Sequence, residues 1–425
     1  MKNNVYVKGI ILIVCSILIG TVLMMGIYAL PNDRLISNVE KSSSLYINGE
    51  NKINNWVGNL RYGRLDNSTD DAMIDAAVCR EYDSIVENAL LNPIYNLKLS
   101  VTANNNSSNI SLYFNEDNIE GVSNYSRYWH GYLMYLVPGL TLFTVGEMRM
   151  LMMAVQFILA MILLFGIGIK LGIKYMLPYM AAIIFINPVT CALNFQNADV
   201  YIISMLSCIC ILYFNDFLNR NHNYYLLFTL TGIMIAFFDF LTYPIVSFGL
   251  PMITYVLMNR KSLKESLMDI GLCFVFWGAG YVGMWAGKWI VASLLTSENI
   301  IADAVSALTL RSGIDNSENL DLSYISALVT TKESFWDPVN AALCILFAAV
   351  TVAVNLVQKN HIVIKATKII PPLIVSLSFF LWVFVARNHY ITHQFLEYRS
   401  FAVVVLVFYV LISDLFDGGV NEKGN

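Results

Sequence analysis

Residues 10–30 read IILIVCSILIGTVLMMGIYAL, a stretch without a charged side chain. A helix of about 20 apolar residues crosses the roughly 30 Å hydrocarbon layer of a bilayer, so this stretch predicts a transmembrane helix. Lys2 and Lys8 precede it, as in a signal peptide, but it ends at residues 28–31 (YALP) without a small-residue cleavage site. We therefore expect it to be retained as the first membrane span.

The composition of the whole chain has the same membrane character. Of the 425 residues, 57% are hydrophobic and 13% are charged, and the mean hydropathy is +0.59. A soluble domain carries about 25% charged residues, because its surface faces water. Half of that fraction means that most of this surface faces something else. The net charge of −4, with no basic block, argues against a nucleic-acid partner.

Further apolar stretches of helical length follow, so we expect an all-α polytopic membrane protein with about ten transmembrane helices. They lie at residues 150–169, 175–191, 200–214, 224–240, 241–258, 270–294, 339–357, 369–385 and 401–415. Residues 31–128, by contrast, are mostly polar, and their backbone groups would be unsatisfied in lipid. This predicts a large extracytoplasmic loop, with a short helix where Met73, Ile74, Ala77 and Val78 are spaced on one face.

The apolar stretch at residues 132–145 decides the orientation of every later span. Counted as a span, it places Lys170 and Lys174 outside; treated as an interfacial or re-entrant segment, it places them inside. Short cytoplasmic loops are rich in Lys and Arg, which favours the second alternative. The remaining basic clusters then also lie inside: Arg260, Lys261 and Lys264, and Lys359, Lys365 and Lys368.

This orientation puts both termini on the cytoplasmic side of a plasma membrane. The composition suits a bacterial plasma membrane. The predicted organisation is a first transmembrane helix at 1–30, an outer loop with the interfacial segment at 31–149, transmembrane helices 2–7 at 150–294, a second outer loop at 295–336, transmembrane helices 8–10 at 337–417 and a cytoplasmic tail at 418–425.

Polar and charged residues within or beside a membrane cost free energy and therefore indicate a functional or structural role. Three groups of them gather on the predicted outer side. The first is Thr69-Asp70-Asp71-Ala72-Met73 in the large loop. Neighbouring carboxylates raise each other's pKa, and one that stays ionised acts as a general base or binds a metal ion. The alternative is a helix N-cap at Thr69 or Asp70, with Asp71 favourable to the helix dipole.

The second group is the run YSRYWHGY at residues 125–132. One interpretation is a sugar- or acceptor-binding surface, in which aromatic faces stack on a sugar and charged groups hold a phosphate. Its residues are Arg127, Tyr128, Trp129 and His130. The alternative is an aromatic belt that anchors the chain at the membrane interface.

The third group is RNHYITHQFLEYR at residues 387–399, between the last two predicted spans. His389 and His393 are four residues apart and share a face if the segment is helical. No third ligand is evident, so a metal site has little support, although a divalent metal stays open; ordinary loop polarity is the alternative. The seven cysteines have neither zinc spacing nor a disulfide pattern.

Three single residues complete the candidates. Lys288 lies near the outer end of its predicted span, where it either snorkels to the interface or binds an anion. Asp239 lies at a turn between two spans and is a candidate helix cap, and Arg311 is a further loop candidate. No Walker loop, GxGxxG or HExxH motif is present, which argues against ATP-driven transport by this chain alone.

This arrangement resembles the GT-C superfamily of membrane glycosyltransferases, in which a first span, a large outer loop with an acidic motif and many further spans place the active site at the outer membrane face. The residues that carry the resemblance are 69–73, the Tyr-Trp-His run at 128–130 and the segment 387–399. The Arg-Tyr-Trp-His-Gly-Tyr run and the late Asn-His…His…Tyr-Arg run are also similar to a bacterial membrane protein family without an assigned activity.

The resemblance implies an inverting transfer of a sugar from a polyprenyl-phosphate donor to a glycan, lipid or protein acceptor. It implies that Asp70 or Asp71 deprotonates the acceptor, although the Asp-Glu pair of several GT-C branches is Asp-Asp here. It implies further that basic residues neutralise the departing phosphate; the candidates are Lys288, Arg387, His389 and Arg399.

Two other classes of function stay open at this point. One is a non-enzymatic protein that binds or translocates a lipid-linked glycan, or a secondary transporter. A transporter has ionisable residues at mid-membrane and repeated halves, and this sequence shows few mid-span charges and no inverted repeat. The other is an assembly partner in a surface-polysaccharide system.

Overall fold

The computed structural model describes residues 5–42, 67–98, 116–315, 322–327, 329, 338–357 and 361–417. Within these ranges the protein is all-α, apart from two short antiparallel sheets. The helices are α1 (Val5–Tyr28), α2 (Asp33–Ser42), α3 (Asn67–Val78), α4 (Ile85–Leu91), α5 (Leu133–Leu142), α6 (Val145–Lys170), α7 (Met176–Ile186), α8 (Pro188–Leu193), α9 (Phe195–Asn219), α10 (Asn223–Phe238), α11 (Val246–Met258), α12 (Leu263–Leu295), α13 (Ile300–Ser312), α14 (Pro338–Val357), α15 (Ala366–Val385), α16 (Arg387–Thr392), α17 (Gln394–Glu397) and α18 (Ala402–Leu415). Strand β1 (Pro93–Leu97) pairs with β2 (Ile119–Asn124), and β3 (His361–Ile362) pairs with β4 (Phe416–Asp417).

Six segments of the described chain are long and apolar enough to cross a bilayer: α1, α6, α9–α10, α12, α15 and the stretch Gln394–Leu415. Their outer surfaces are apolar as well. On α1, for example, Ile10 is 63% exposed and Val22 is 67% exposed. Lipid covers such a surface at no hydrophobic cost, whereas water does not. The protein is therefore a polytopic membrane protein, as its composition predicts.

All ten predicted spans fall on helices, but some of these helices are short. The predicted span at 175–191 breaks at Asn187, which takes a left-handed conformation (φ 64°) before Pro188 begins α8. Helix α7 has 11 residues and α11 has 13; at about 1.5 Å per residue each is shorter than the hydrocarbon layer. Helix α5, with 10 residues, has a length that fits the predicted interfacial or re-entrant segment. The total of ten spans stays a prediction.

Helices α10 and α12 pack with their backbones in direct contact. A Cβ atom added at Gly232 would lie 2.1 Å from the carbonyl oxygen of Trp277, and one added at Gly280 would lie 2.2 Å from that of Thr229. Small residues of this kind allow close helix packing in membranes. The contact fixes the rotation of α12, whose 33 residues extend beyond the thickness of the hydrocarbon layer.

The described part of the polar segment after α1 docks on the C-terminal ends of α1 and α12. The Tyr28 hydroxyl donates to the carbonyl oxygen of Ala76 on α3 at 3.1 Å, and Asn92 donates to the Tyr28 hydroxyl at 3.3 Å. Helix α3 confirms the helix predicted around Met73. Asp70 lies within its first turn, so the predicted N-cap at Thr69 or Asp70 is wrong.

Candidate functional site

A cavity of about 560 Å³ lies between α12, α13 and α15. One wall is an aromatic stripe on α12, whose members are four residues apart and therefore share a helix face: Trp277, Tyr281, Trp285 and Trp289. The rings of Trp277 and Tyr281 stack with centroids 5.3 Å apart. The other walls are aliphatic for most of their length, so the cavity is suited to an apolar chain.

Two arginine residues, Arg127 and Arg311, line the cavity, and the part that they line is its polar end. Arg127 is held in place because Trp289 donates its indole N–H to the Arg127 carbonyl oxygen at 2.9 Å. Burial and the neighbouring Tyr128 raise the pKa of Tyr125, while the charges of Arg311 and Arg127 act in the opposite direction. Both guanidinium groups therefore lie within electrostatic reach of the same hydroxyl.

Two further hydrogen-bond donors in the cavity wall are unpaired among the described residues. The Tyr281 hydroxyl and the Trp285 indole nitrogen are buried and have no hydrogen-bond partner there. A buried donor without a partner costs about 1–3 kcal/mol. Both atoms are buried within the wall rather than exposed in the cavity, so the fold itself carries this cost.

Arg311 is oriented by a buried histidine. His389 Nε2 donates to the carbonyl oxygen of Leu241 at 2.6 Å, and its Nδ1 contacts Arg311 Nη1. Burial, followed by the charge of Arg311, holds the pKa of His389 well below its usual range. The ring is therefore neutral, and its Nδ1 accepts a hydrogen bond from the guanidinium.

The loop between α10 and α11 closes the same end of the cavity. Leu241 lines the cavity and has a left-handed backbone (φ 69°), which is a strained conformation for a bulky side chain. Asp239 stabilises this loop, since its carboxylate accepts from the N–H of Thr242 at 3.0 Å and from the Thr242 hydroxyl at 2.5 Å. Burial raises the pKa of Asp239 to about 6. Asp239 occupies the C-cap position of α10, but its side chain bonds to the turn, and the N-cap of α11 is Ile245.

The residues of the aromatic run at 125–132 are divided between the cavity and the interior. Arg127 and Tyr128 line the cavity. Trp129 instead donates to the carbonyl oxygen of Met284 at 2.7 Å. His130 is buried between the Tyr132 hydroxyl and the Tyr125 carbonyl oxygen, each at 2.7 Å, and burial lowers its pKa to about 3. Trp129 and His130 therefore hold the run in place, and Arg127 and Tyr128 face the cavity.

The predicted base residues lie outside the cavity lining. Asp70 is fully buried and forms an ion pair with Arg149 at 3.0 Å; it also accepts from Asn194 at 3.2 Å and from the N–H of Gln196 at 3.4 Å. Asp71 is 2% exposed. Burial and the nearby Asp71 raise the pKa of Asp75, whereas the backbone N–H of Tyr95 lowers it.

The four predicted phosphate-binding residues are likewise separated. Lys288 is fully buried and donates to Asn92 at 2.8 Å and to the carbonyl oxygen of Ala89 at 3.2 Å, so the predicted snorkelling is wrong. Arg399 is 1% exposed and donates to Thr190 at 2.7 Å.

The other two lie nearer the cavity. Arg387 donates to the carbonyl oxygen of Leu322 at 3.3 Å. His389 contacts Arg311, which lines the cavity. The rings of His389 and His393 are 4.5 Å apart, as the helical spacing predicts. Across the described ranges, no group of three or more His, Cys, Asp or Glu residues is placed to hold a metal ion.

Sequence reasoning missed two parts of this site. The aromatic stripe of α12 is visible in the sequence as a four-residue repeat of Trp and Tyr, which was a usable signal. Asp303, which pairs with Arg127 at 3.1 Å, had no such signal. Comparisons of the chain with protein-family models, with curated proteins and with solved structures find no match.

Proposed function

We propose that this protein is a GT-C-like membrane glycosyltransferase that takes a sugar from a polyprenyl-phosphate donor. The acceptor is a cell-surface glycan, lipid or protein at the outer membrane face. The observation that carries the proposal is the cavity between α12, α13 and α15. It joins an apolar, aromatic interior to an end that two arginine residues, Arg127 and Arg311, line. A lipid with an anionic head group is divided in the same way, into an apolar chain and a charged end.

The position of the cavity supports entry from the membrane. Two of its walls belong to α12 and α15, which are both long and apolar enough to span a bilayer. Apolar side chains at its edge are exposed: Val282 by 64%, Val305 by 51% and Leu381 by 46%. A polyprenyl chain in lipid already has apolar surroundings, so its burial here adds little hydrophobic free energy. The affinity must come mainly from the head group.

Arg127 and Arg311 provide that affinity. A hydrogen bond to a charged group contributes about 1.5–3 kcal/mol. One guanidinium group often forms two parallel hydrogen bonds to the oxygens of a phosphate. In an inverting transfer the acceptor oxygen attacks the anomeric carbon, and the bond from that carbon to the phosphate oxygen breaks. The leaving phosphate gains negative charge, and the two guanidinium groups stabilise it where it forms. The proposed topology of about ten spans, with both termini cytoplasmic, places this end of the cavity outside.

The test is an assay of polyprenyl phosphate release by the purified protein in detergent, with a panel of polyprenyl-phosphate sugars. We expect Arg311→Ala to lower the rate by about 100-fold or more, because one group that stabilises developing charge is lost. Arg220→Ala is the matched control, since Arg220 is exposed beyond the end of α9. A wild-type protein that binds these lipids and turns over none would favour the alternatives, which are binding or translocation of a lipid-linked glycan, or secondary transport.

A further inference from the structure

We infer that Asp303 is the general base of this transfer, and that the donor phosphate releases it by taking its place on Arg127. The inference rests on the proposed function, because it names the residue that would deprotonate the acceptor.

Asp303 lies beside the cavity lining and is paired with Arg127, which lines the cavity. It is in the first turn of α13, and the next residue, Ala304, lines the cavity. Arg127 Nη1 donates to both carboxylate oxygens of Asp303, at 3.1 Å and 3.2 Å. The Asp303 side chain is 46% exposed and that of Arg127 is 27% exposed. An acceptor arriving from outside can therefore reach this carboxylate.

The ion pair is suited to exchange. A pair as exposed as this one contributes about 0–1 kcal/mol, so its loss costs little, and a donor phosphate offers Arg127 a charge-assisted contact of the same kind. A donor phosphate at the polar end therefore replaces Asp303 on Arg127. The displaced carboxylate then lies beside the sugar that the phosphate carries, with its oxygens free to accept a proton.

The other carboxylates near the cavity are engaged. Asp239 is 4% exposed and accepts from the N–H and the hydroxyl of Thr242. Glu397 is fully buried and accepts from the Trp382 indole at 3.0 Å and from Ser400 at 3.0 Å. Both hold protein structure in place, and neither is open to an acceptor.

The step balances without another reactant. The acceptor oxygen forms a bond to the anomeric carbon, and its proton moves to the Asp303 carboxylate. The bond from the anomeric carbon to the phosphate oxygen breaks, and its electron pair leaves with polyprenyl phosphate. Arg127 and Arg311 hold that phosphate as its charge increases.

The experiment compares Asp303→Asn with Glu298→Gln, an exposed change in the same outer segment, using a donor that the wild type turns over. We expect Asp303→Asn to lower kcat by about 100-fold or more while the donor Kd stays the same or falls, since Arg127 loses a competing carboxylate. Glu298→Gln keeps both values.

An Asp303→Asn variant with a kcat within about threefold of wild type overturns the inference and leaves the glycosyltransferase standing. The same holds if Asp303→Asn loses donor binding in step with activity, because Asp303 then only positions Arg127. If Asp71→Asn abolishes turnover and Asp303→Asn does not, the base is the one that the sequence predicts. A wild type that releases no polyprenyl phosphate from any donor overturns both proposals.

Discussion

Removing the Asp70 carboxylate separates its structural role from the catalytic role that the sequence suggests. In Asp70→Ala, Arg149, whose side chain is 13% exposed, loses its carboxylate partner. The side-chain amide of Asn194 and the N–H of Gln196 lose their acceptor as well. Breaking one side of a buried ion pair costs about 3–5 kcal/mol, since the remaining charge is left uncompensated. We expect a loss of this size in the free energy of unfolding.

A double-mutant cycle measures the pair itself. Arg149→Leu removes the guanidinium that pairs with buried Asp70 and is expected to cost a similar amount, whereas the double variant removes both charges. The double variant is then more stable than the sum of the two single changes predicts, by at least about 1 kcal/mol. The readout is chemical denaturation in a mild detergent, followed by far-UV circular dichroism. Glu120→Gln, an exposed change on β2, is the control.

Two results would refute this reasoning. The first is an Asp70→Ala variant whose free energy of unfolding lies within about 1 kcal/mol of wild type, with single changes that add. The second is an Asp70→Asn variant that unfolds as the wild type does but no longer releases polyprenyl phosphate. That outcome would make Asp70 the base after all.

Two further predictions concern pH and packing. The folded-state pKa of His130 is about 3 and its unfolded value is about 6.5, so the unfolded chain binds more protons and stability falls as pH drops below about 6.5, by up to about 1.4 kcal/mol per unit. In unfolding experiments between pH 7 and pH 5, His130→Gln should flatten this slope, whereas His222→Gln, at an exposed position, should not. An unchanged slope in His130→Gln would contradict the lowered pKa of His130. Gly232→Ala places a Cβ 2.1 Å from the carbonyl oxygen of Trp277 and should lower the free energy of unfolding by about 1–3 kcal/mol. The control is Gly271→Ala, whose Cβ meets nothing within 4 Å. Equal stability of the two variants would show that α10 and α12 separate at little cost.

The sequence by itself determined the membrane class and the position of the helices. Hydropathy is a local property, and a bilayer forces each apolar stretch to satisfy its backbone hydrogen bonds within itself. For this reason the ten predicted spans all fall on helices, and the helix around Met73 is present. Local signals were weaker at helix ends: the break at Asn187 shortens α7, and Asp70 lies inside α3 rather than at its cap.

Only the tertiary structure decided which polar residues meet. Arg127 and its partner Asp303 are 176 residues apart in the chain, and Arg311 and His389 are 78 apart. Such contacts depend on how α12, α13 and α15 pack, and helix packing in lipid follows side-chain shape and small residues rather than hydropathy. A basic residue in the sequence therefore has the same appearance whether it lines the cavity, as Arg311 does, or bonds to the interior, as Lys288 does.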